Sequence, residues 1–309
     1  MNDERSRKYV CSRGLLKCCD YFSNNPISSI KQVNNYPDLI LLKHIIIQKG
    51  KVPSIYVCGS AIPNFISVLL PSIQVPFILV SGDCDESIPF DIFNSKESFE
   101  QFISNTYLIH WYCQNYVGPI HNKITQMPIG LDYHTMSSST VWGPIANPTQ
   151  QEKTLEDLKQ NSKPFWERES KCYGNYHFFM TTKFGKDRQD AFENIPKNLV
   201  YYEKQRVERL ETWKNQINYA FVISPHGNGL DCHRTWEALT LGCIPIVKTS
   251  PLDGLYKDLP VLIVNSWKEV TQEVLDKTLE DFKNKTFNYE RLSLMYWVNM
   301  INNYKIINK

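Results

Sequence analysis

Residues 221–247, FVISPHGNGLDCHRTWEALTLGCIPIV, restrict this chain more than any other stretch, because they read as strand, glycine-rich turn, helix and strand in immediate succession. The apolar, β-branched run Phe221-Val222-Ile223 meets Ser224-Pro225, where a strand should stop. In His226-Gly227-Asn228-Gly229, two glycines flank an asparagine, which permits positive φ and lets bare backbone N–H groups approach an anion. Asp231 is placed to N-cap a helix with Cys232, Trp236 and Leu239 on one face and His233, Arg234 and Glu237 on the other. The second face is expected to look into a cleft. Gly242 closes the helix, and Cys243-Ile244-Pro245-Ile246-Val247 starts the next strand. A phosphate over such a helix N-terminus is favoured by about 0.3–1 kcal/mol at an exposed site.

Two side chains on that helix suit a nucleoside diphosphate. Arg234 offers a planar fork of donors for phosphate oxygens. Glu237, one turn on, can accept hydrogen bonds from both hydroxyls of a ribose. A dinucleotide-binding turn fits less well: G-x-G-x-x-G requires glycine where Cys232 stands, and its ribose acid belongs about 20 residues further on. The plain alternative is a tight turn beside an exposed Arg234–Glu237 ion pair.

The same residues carry a family likeness. SPHGNGLDCHRTWEALTLGCIPIV resembles the nucleotide-sugar-binding motif of exostosin-like glycosyltransferases, where a Pro-x-Gly turn leads through Asp, Arg and Glu to a Gly-Cys-Ile-Pro strand. ITQMPIGLDYHT (Ile124 to Thr135) is similar to the segment near the domain junction of such enzymes, and KCYGNYHF (Lys171 to Phe178) to the first strand of their donor domain. The resemblance implies the GT-B fold, two Rossmann-like domains facing across a cleft, with a sugar-nucleotide donor on the C-terminal domain and the acceptor on the N-terminal one. His226 departs from the family pattern, which commonly has Arg in the turn.

Composition bounds the alternatives. A chain of 309 residues, 42% hydrophobic, can build two ordinary cores. A formal charge of +2 with no dominant Lys/Arg block gives no sign of a nucleic-acid surface. Nine scattered cysteines without a C-x-x-C pair favour a reducing compartment over a disulfide framework or a zinc site. No apolar run approaches the roughly 18 residues needed to span a bilayer, and no apolar segment follows the charged N-terminus. The expectation is a soluble cytoplasmic enzyme without an integral membrane segment. Abundant Asn, Lys and Ile suit an AT-rich genome such as that of a protist or a large virus, and a viral source would place the enzyme in the host cytoplasm.

Strand-like runs alternate with amphipathic segments, the pattern of parallel α/β domains. Helices are expected at Pro37–Gln48 and Pro63–Leu70, and strands at Ser54–Cys58, Phe77–Ser81 and Tyr107–Tyr112. Met136–Gln151, rich in Ser, Thr, Pro and Gly, looks like a linker. In the second half, a strand is expected at Tyr173–Phe179, with Lys183 and Arg188 beyond its carboxyl end as further phosphate candidates or plain solvated cations. A strand at Val261–Val264, a helix at Val270–Phe282 and a buried helix at Leu292–Ile301 complete the pattern. The expected units are an acceptor-side Rossmann-like domain over 1–140, a nucleotide-sugar-binding one over 141–285, and a terminal helix over 286–309 that packs back on the first.

Phe77–Asp85 runs an apolar strand into Asp83-Cys84-Asp85. In a GT-A transferase, such a pair holds a divalent cation against the diphosphate. Here the phosphate-binding unit lies in the other half, and a helix dipole with Arg234 can neutralise a leaving diphosphate, so a metal-independent reaction is preferred. Asp83 or Asp85 then serves the acceptor as general base or ligand, or simply caps a turn. His226 and His233 are candidates to touch phosphate, His110 and His134 are candidate bases, and His44 reads as a packed residue.

These expectations combine into a transferase moving a sugar from a nucleotide donor, UDP-linked by preference, to a hydroxyl on a glycan or glycoprotein. Gly227, Asn228, Gly229 and Arg234 would stabilise the departing diphosphate. A metal-dependent transferase and a non-catalytic sugar-nucleotide or glycan-binding protein remain the alternatives.

Overall fold

A computed structural model describes residues 4–24, 30–33 and 36–304. Two all-parallel sheets organise it, in the orders β1-β2-β3-β4 and β6-β5-β7-β8-β9. The first contains β1 (Ser54–Cys58), β2 (Phe77–Gly82), β3 (Leu108–Cys113) and β4 (Ile124–Gln126); the second contains β5 (Glu169–Gly174), β6 (Val200–Tyr202), β7 (Tyr219–Ile223), β8 (Ile244–Lys248) and β9 (Leu262–Val264). The helices are α1 (Ser12–Cys18), α2 (Ile40–Lys49), α3 (Ile62–Val68), α4 (Lys96–Ile103), α5 (Tyr133–Ser138), α6 (Pro148–Gln160), α7 (Lys186–Asn194), α8 (Arg209–Gln216), α9 (His233–Thr240), α10 (Gln272–Lys283) and α11 (Leu294–Asn302).

Central strands are apolar without alternation because both of their faces are covered. In β2, Phe77 and Leu79 enter a core with α2, α3 and α4, whereas Ile78 and Val80 enter a second core on the opposite face. The same division recurs in β7, where Phe221 and Ile223 join a third core and Val222 joins the second. The second core therefore takes side chains from both sheets, including Tyr112 from β3 and Trp236 and Leu239 from α9.

Helix α11 and Tyr304 beyond it contact the first half of the chain: Tyr112 Oη donates to Met300 O at 3.1 Å, Lys51 Nζ to Asn302 Oδ1 at 2.8 Å, and Tyr304 stacks on His110 at 5.2 Å.

Several boundaries move from the sequence reading. The strand expected at Tyr173–Phe179 is Glu169–Gly174, and the aromatic residues after Gly174 leave the sheet as loop. Met136–Gln151 is helical at both ends, because Asn147 with Gln150 forms a capping box that starts α6 at Pro148. His44 is exposed, and His110 is buried with Nε2 at 2.9 Å from Thr125 Oγ1. Burial, with His121 nearby, pushes the His110 imidazole down to about 4, so it packs neutral against Tyr112 and Tyr304. None of the nine cysteines forms a disulfide. Among the described residues, no helix is long and apolar enough to cross a membrane.

Candidate functional site

In the second sheet the chain passes from β5 outward to β6 and then returns to the other side of β5 as β7. Strand order reverses there, and in open α/β sheets such a switch point, at the carboxyl ends of the strands, is where ligands bind. Residues 175–185 follow β5 and the turn from Ser224 to Cys232 follows β7, and the two meet where Thr182 Oγ1 donates to Gly227 O at 3.2 Å.

The turn is tied down before it reaches the helix. Asp187 of α7 accepts the His226 N–H at 2.9 Å and the Trp267 indole N–H at 2.7 Å. Gly227 N–H donates to Gly229 O at 3.0 Å. The His226 ring, 9% exposed, places Nδ1 at 2.9 Å from Leu230 O, so this nitrogen braces the turn instead of facing a ligand. Positive φ occurs at Gly50, Gly130, Gly143 and Gly242 but at neither glycine of the turn, which corrects the reason expected for that pair. What they permit is close approach. A Cβ on Gly227 would stand 2.6 Å from Arg188 Nη2, and one on Gly229 would stand 3.0 Å from both Asp85 O and Asn115 Nδ2.

The N-cap of α9 is Cys232, one residue later than expected, and no side chain caps it. The His233 and Arg234 N–H groups therefore remain available to an anion, while Thr235 N–H donates to Cys232 O at 3.0 Å. Asp231 does different work: Oδ2 accepts Ile129 N–H at 2.8 Å, and Oδ1 accepts the Trp236 indole N–H at 2.8 Å. Burial pushes its carboxyl up to about 6, against the pull of those donors. At the far end, Gly242 at φ 73° completes a Schellman closure, with Gly242 N–H to Leu239 O at 3.1 Å and Cys243 N–H to Ala238 O at 2.8 Å.

Two guanidiniums flank the turn. Arg188, 8% exposed, donates from Nε to His226 O at 3.0 Å, and Arg234 donates from Nη1 to Pro225 O at 3.3 Å with its Cζ 5.3 Å from the Tyr176 ring centre. Among the described residues neither pairs with a carboxylate; their neighbours are backbone carbonyls, Tyr176 and the Cys232 thiol. Burial and then the like charge of Arg234 push Arg188 down to about 10. His177, exposed on the loop after β5, is lowered by partial burial and then by Arg188, Arg206 and Arg234, so three arginines share one field. Trp142 lies within it, its ring centre 6.2 Å from that of His177 and 5.8 Å from Arg206 Cζ.

Glu237 does not pair with Arg234. Its carboxylate, 7% exposed, is 3.6 Å from Arg209 Nε. Arg209 also reaches Asp132, with Nη1 to the backbone O at 3.0 Å and Nη2 to Oδ2 at 3.3 Å. Asp132 in turn lies 3.2 Å from His134 Nδ1, and the His134 ring is 6.5 Å from His233. His233 Nδ1 is 2.7 Å from Gly130 O. The 127–134 segment is thus docked on the start of α9 through Ile129, Gly130, Asp132 and His134.

The Asp-x-Asp pair separates. Asp83 is 7% exposed in a left-handed conformation at φ 54°, with its N–H donating to Gln114 Oε1 at 3.1 Å. Asp85 is exposed and takes hydrogen bonds from the Asn228 side chain and Gly229 N–H, so it meets the turn directly. Desolvation against the turn and then Glu86 raise its carboxyl, opposed by those donors and His233. Lys183 does not face the turn; its Nζ contacts Asp91 at 2.8 and 2.9 Å, which neutralises the cation expected for phosphate. Among the described residues no three His, Cys, Asp or Glu side chains are grouped to hold a metal ion.

Sequence reading did not find Asn115, Asp132, Trp142, Tyr176, His177, Asp187 or Arg209. For Asp132 a signal existed, since Asp with Thr three residues on is a helix start, and its carboxylate does cap α5 through Thr135 N–H at 2.9 Å. Asn115, at φ 52°, carries no such mark; it joins the halves by accepting Asp231 N–H at 3.1 Å on Oδ1 and donating to Cys84 O at 3.0 Å.

No protein-family model and no curated protein matches the chain. Among solved structures, an α1,3-fucosyltransferase crystallised with GDP-fucose matches at 10% identity and a TM-score of 0.39, over 93% of this chain and 94% of that one.

Proposed function

We propose that the chain is a glycosyltransferase of GT-B type that binds a nucleoside-diphosphate sugar, UDP-linked by preference, at the switch point and transfers the sugar to a hydroxyl acceptor. One observation carries this reading: Arg188 and Arg234, unmatched by carboxylates among the described residues, stand beside the uncapped N-terminus of α9. Holding two like charges together costs free energy in the empty protein, and an anion of two or more charges relieves it. A diphosphate meets that demand with Arg234 as a bidentate partner and the Gly227-Asn228-Gly229 backbone as a cradle. The same groups then stabilise charge as it grows on the leaving diphosphate, which supports a reaction without a required metal. Glu237, fixed by Arg209, accepts the ribose hydroxyls. Asp85, which follows the second strand of the first sheet, meets the turn through Asn228 and Gly229, where a carboxylate that binds the acceptor belongs.

The test is a thermal-shift and calorimetric screen of UDP, GDP and CMP, each with and without EDTA. Nucleotide at about 100 times its Kd adds about 2.7 kcal/mol to stability. UDP binding that survives EDTA and disappears in Arg188→Met and Arg234→Met supports the reading. Failure of all three nucleotides to bind rejects it.

A further inference from the structure

We propose that His134 is the general base of the transfer, taking the acceptor hydroxyl proton on Nε2 while Asp132 positions its ring through Nδ1. The inference rests on the glycosyltransferase reading above and adds a catalytic group to it.

Asp132 is a fixed carboxylate. Its side chain is 7% exposed, accepts the Thr135 N–H at 2.9 Å, and is held by Arg209 at 3.3 Å. Burial alone would raise its carboxyl, but His233, Arg209, His134 and the Thr135 N–H together hold it well below the usual range, so it stays ionised. Electrostatic attraction to an ionised oxygen 3.2 Å from His134 Nδ1 favours the tautomer that carries its proton there, which leaves Nε2 with a lone pair. Burial lowers the His134 imidazole, Asp132 and Asp83 oppose it, and His233 and Arg13 lower it further. The net result is a neutral ring at pH 7, the form a base needs. Its side chain keeps 29% exposure, so a hydroxyl can reach it.

Position agrees with this role. The His134 ring is 6.5 Å from His233, the first residue of α9 and the neighbour of Arg234. Base and diphosphate-binding cation therefore border the same helix terminus. The rival carboxylates are worse placed: Asp83 is 7% exposed, and Asp85 is engaged by Asn228 and Gly229.

The step balances without a co-reactant. The acceptor O–H bond breaks as its proton moves to Nε2, and the acceptor oxygen bonds to the anomeric carbon. The bond from that carbon to the diphosphate oxygen breaks with its electron pair leaving on the diphosphate. The imidazolium then returns its proton to water. A single displacement of this kind inverts the anomeric centre.

The test compares the full-length wild type with His134→Gln and Asp132→Asn. Calorimetry with UDP measures the site, and UDP release from UDP-glucose, UDP-galactose, UDP-N-acetylglucosamine and UDP-xylose, with water or methyl glycosides as acceptors, measures turnover. The expected result for His134→Gln is an unchanged Kd for UDP with kcat lower by about 10²–10⁴-fold. In Asp132→Asn the groups still facing His134 are Asp83, His233 and Arg13, with Arg209 nearby; losing the negative partner moves the acidic limb of the kcat profile to lower pH. A merely structural Asp132 would lower activity without moving that limb. UDP binding and turnover by the wild type with unchanged kcat in His134→Gln overturns this inference and leaves the donor reading standing. No binding of UDP, GDP or CMP by the wild type overturns the donor reading and this inference with it, and UDP binding with no turnover of any donor overturns both.

Discussion

Asp231 Oδ2 accepts the Ile129 N–H at 2.8 Å, joining the start of α9 to the segment that leaves the first sheet. The bond fixes the distance between the glycine turn and the residues, Asp132 and His134, that follow Ile129. Burial raises the Asp231 carboxyl to about 6, so protonation favours the folded state. The stabilisation is complete below the unfolded value and is lost as pH rises through about 6. Relative to Asp231→Asn, which does not titrate, the wild type should lose about 2 kcal/mol between pH 4 and pH 7. Urea unfolding of both proteins at several pH values checks it, and parallel curves would contradict the assignment.

The two turn glycines should respond differently to alanine. At Gly229 the new methyl meets Asp85 O and Asn115 Nδ2, both at 3.0 Å, so backbone on the opposite half must move. A cost of about 1–3 kcal/mol is expected. At Gly227 the closest atom is Arg188 Nη2 at 2.6 Å, the mobile end of a side chain. There stability should change by less than about 1 kcal/mol, while displacement of Arg188 weakens UDP binding. Chemical denaturation and UDP titration of both variants separate the two effects.

Arg234→Met relieves repulsion with Arg188 and keeps an apolar contact for Tyr176. The melting temperature without ligand should be unchanged or higher, whereas the UDP-induced shift should vanish and turnover should fall by about 10²-fold or more. A large loss of stability in the unliganded variant would mean that Arg234 is structural.

Lys183 and Asp91 form an exposed ion pair between the halves, at 2.8 and 2.9 Å. Exposed pairs contribute about 0.2–1 kcal/mol and less at high salt. Lys183→Met should therefore cost little stability and leave the Kd for UDP within about threefold. A loss of UDP binding comparable to that in Arg234→Met would return Lys183 to the phosphate site.

Sequence reading recovered elements wherever local pattern and burial agree. Ser54–Cys58 is a strand at the residues expected, and Phe77–Gly82 differs by one, because runs covered on both faces leave no competing period. It overran at Tyr173–Phe179, where Tyr176 and Phe178 are aromatic for packing in the third core and lie outside the sheet. Within the site, the glycine turn and the helix carrying Arg234 were legible as one contiguous stretch with a fixed order of residue types, whereas Arg188, 38 positions before His226, was marked only by its place beyond the end of a strand. Arg209, Asn115 and Asp132 were missed because their partners lie 28, 116 and 77 positions away, as in Arg209–Glu237, Asn115–Asp231 and Asp132–Arg209.

The sequence by itself determined the parallel α/β architecture and the strand, turn and helix that can receive an anion, since these depend on periodicity and on residues adjacent in the chain. Tertiary structure alone decided which charges remain unmatched. Lys183 met Asp91 and Glu237 met Arg209, while Arg188 and Arg234 were brought together without a carboxylate among the described residues. Electrostatic balance depends on separation in space and on burial, and folding sets both by joining segments that are remote along the chain.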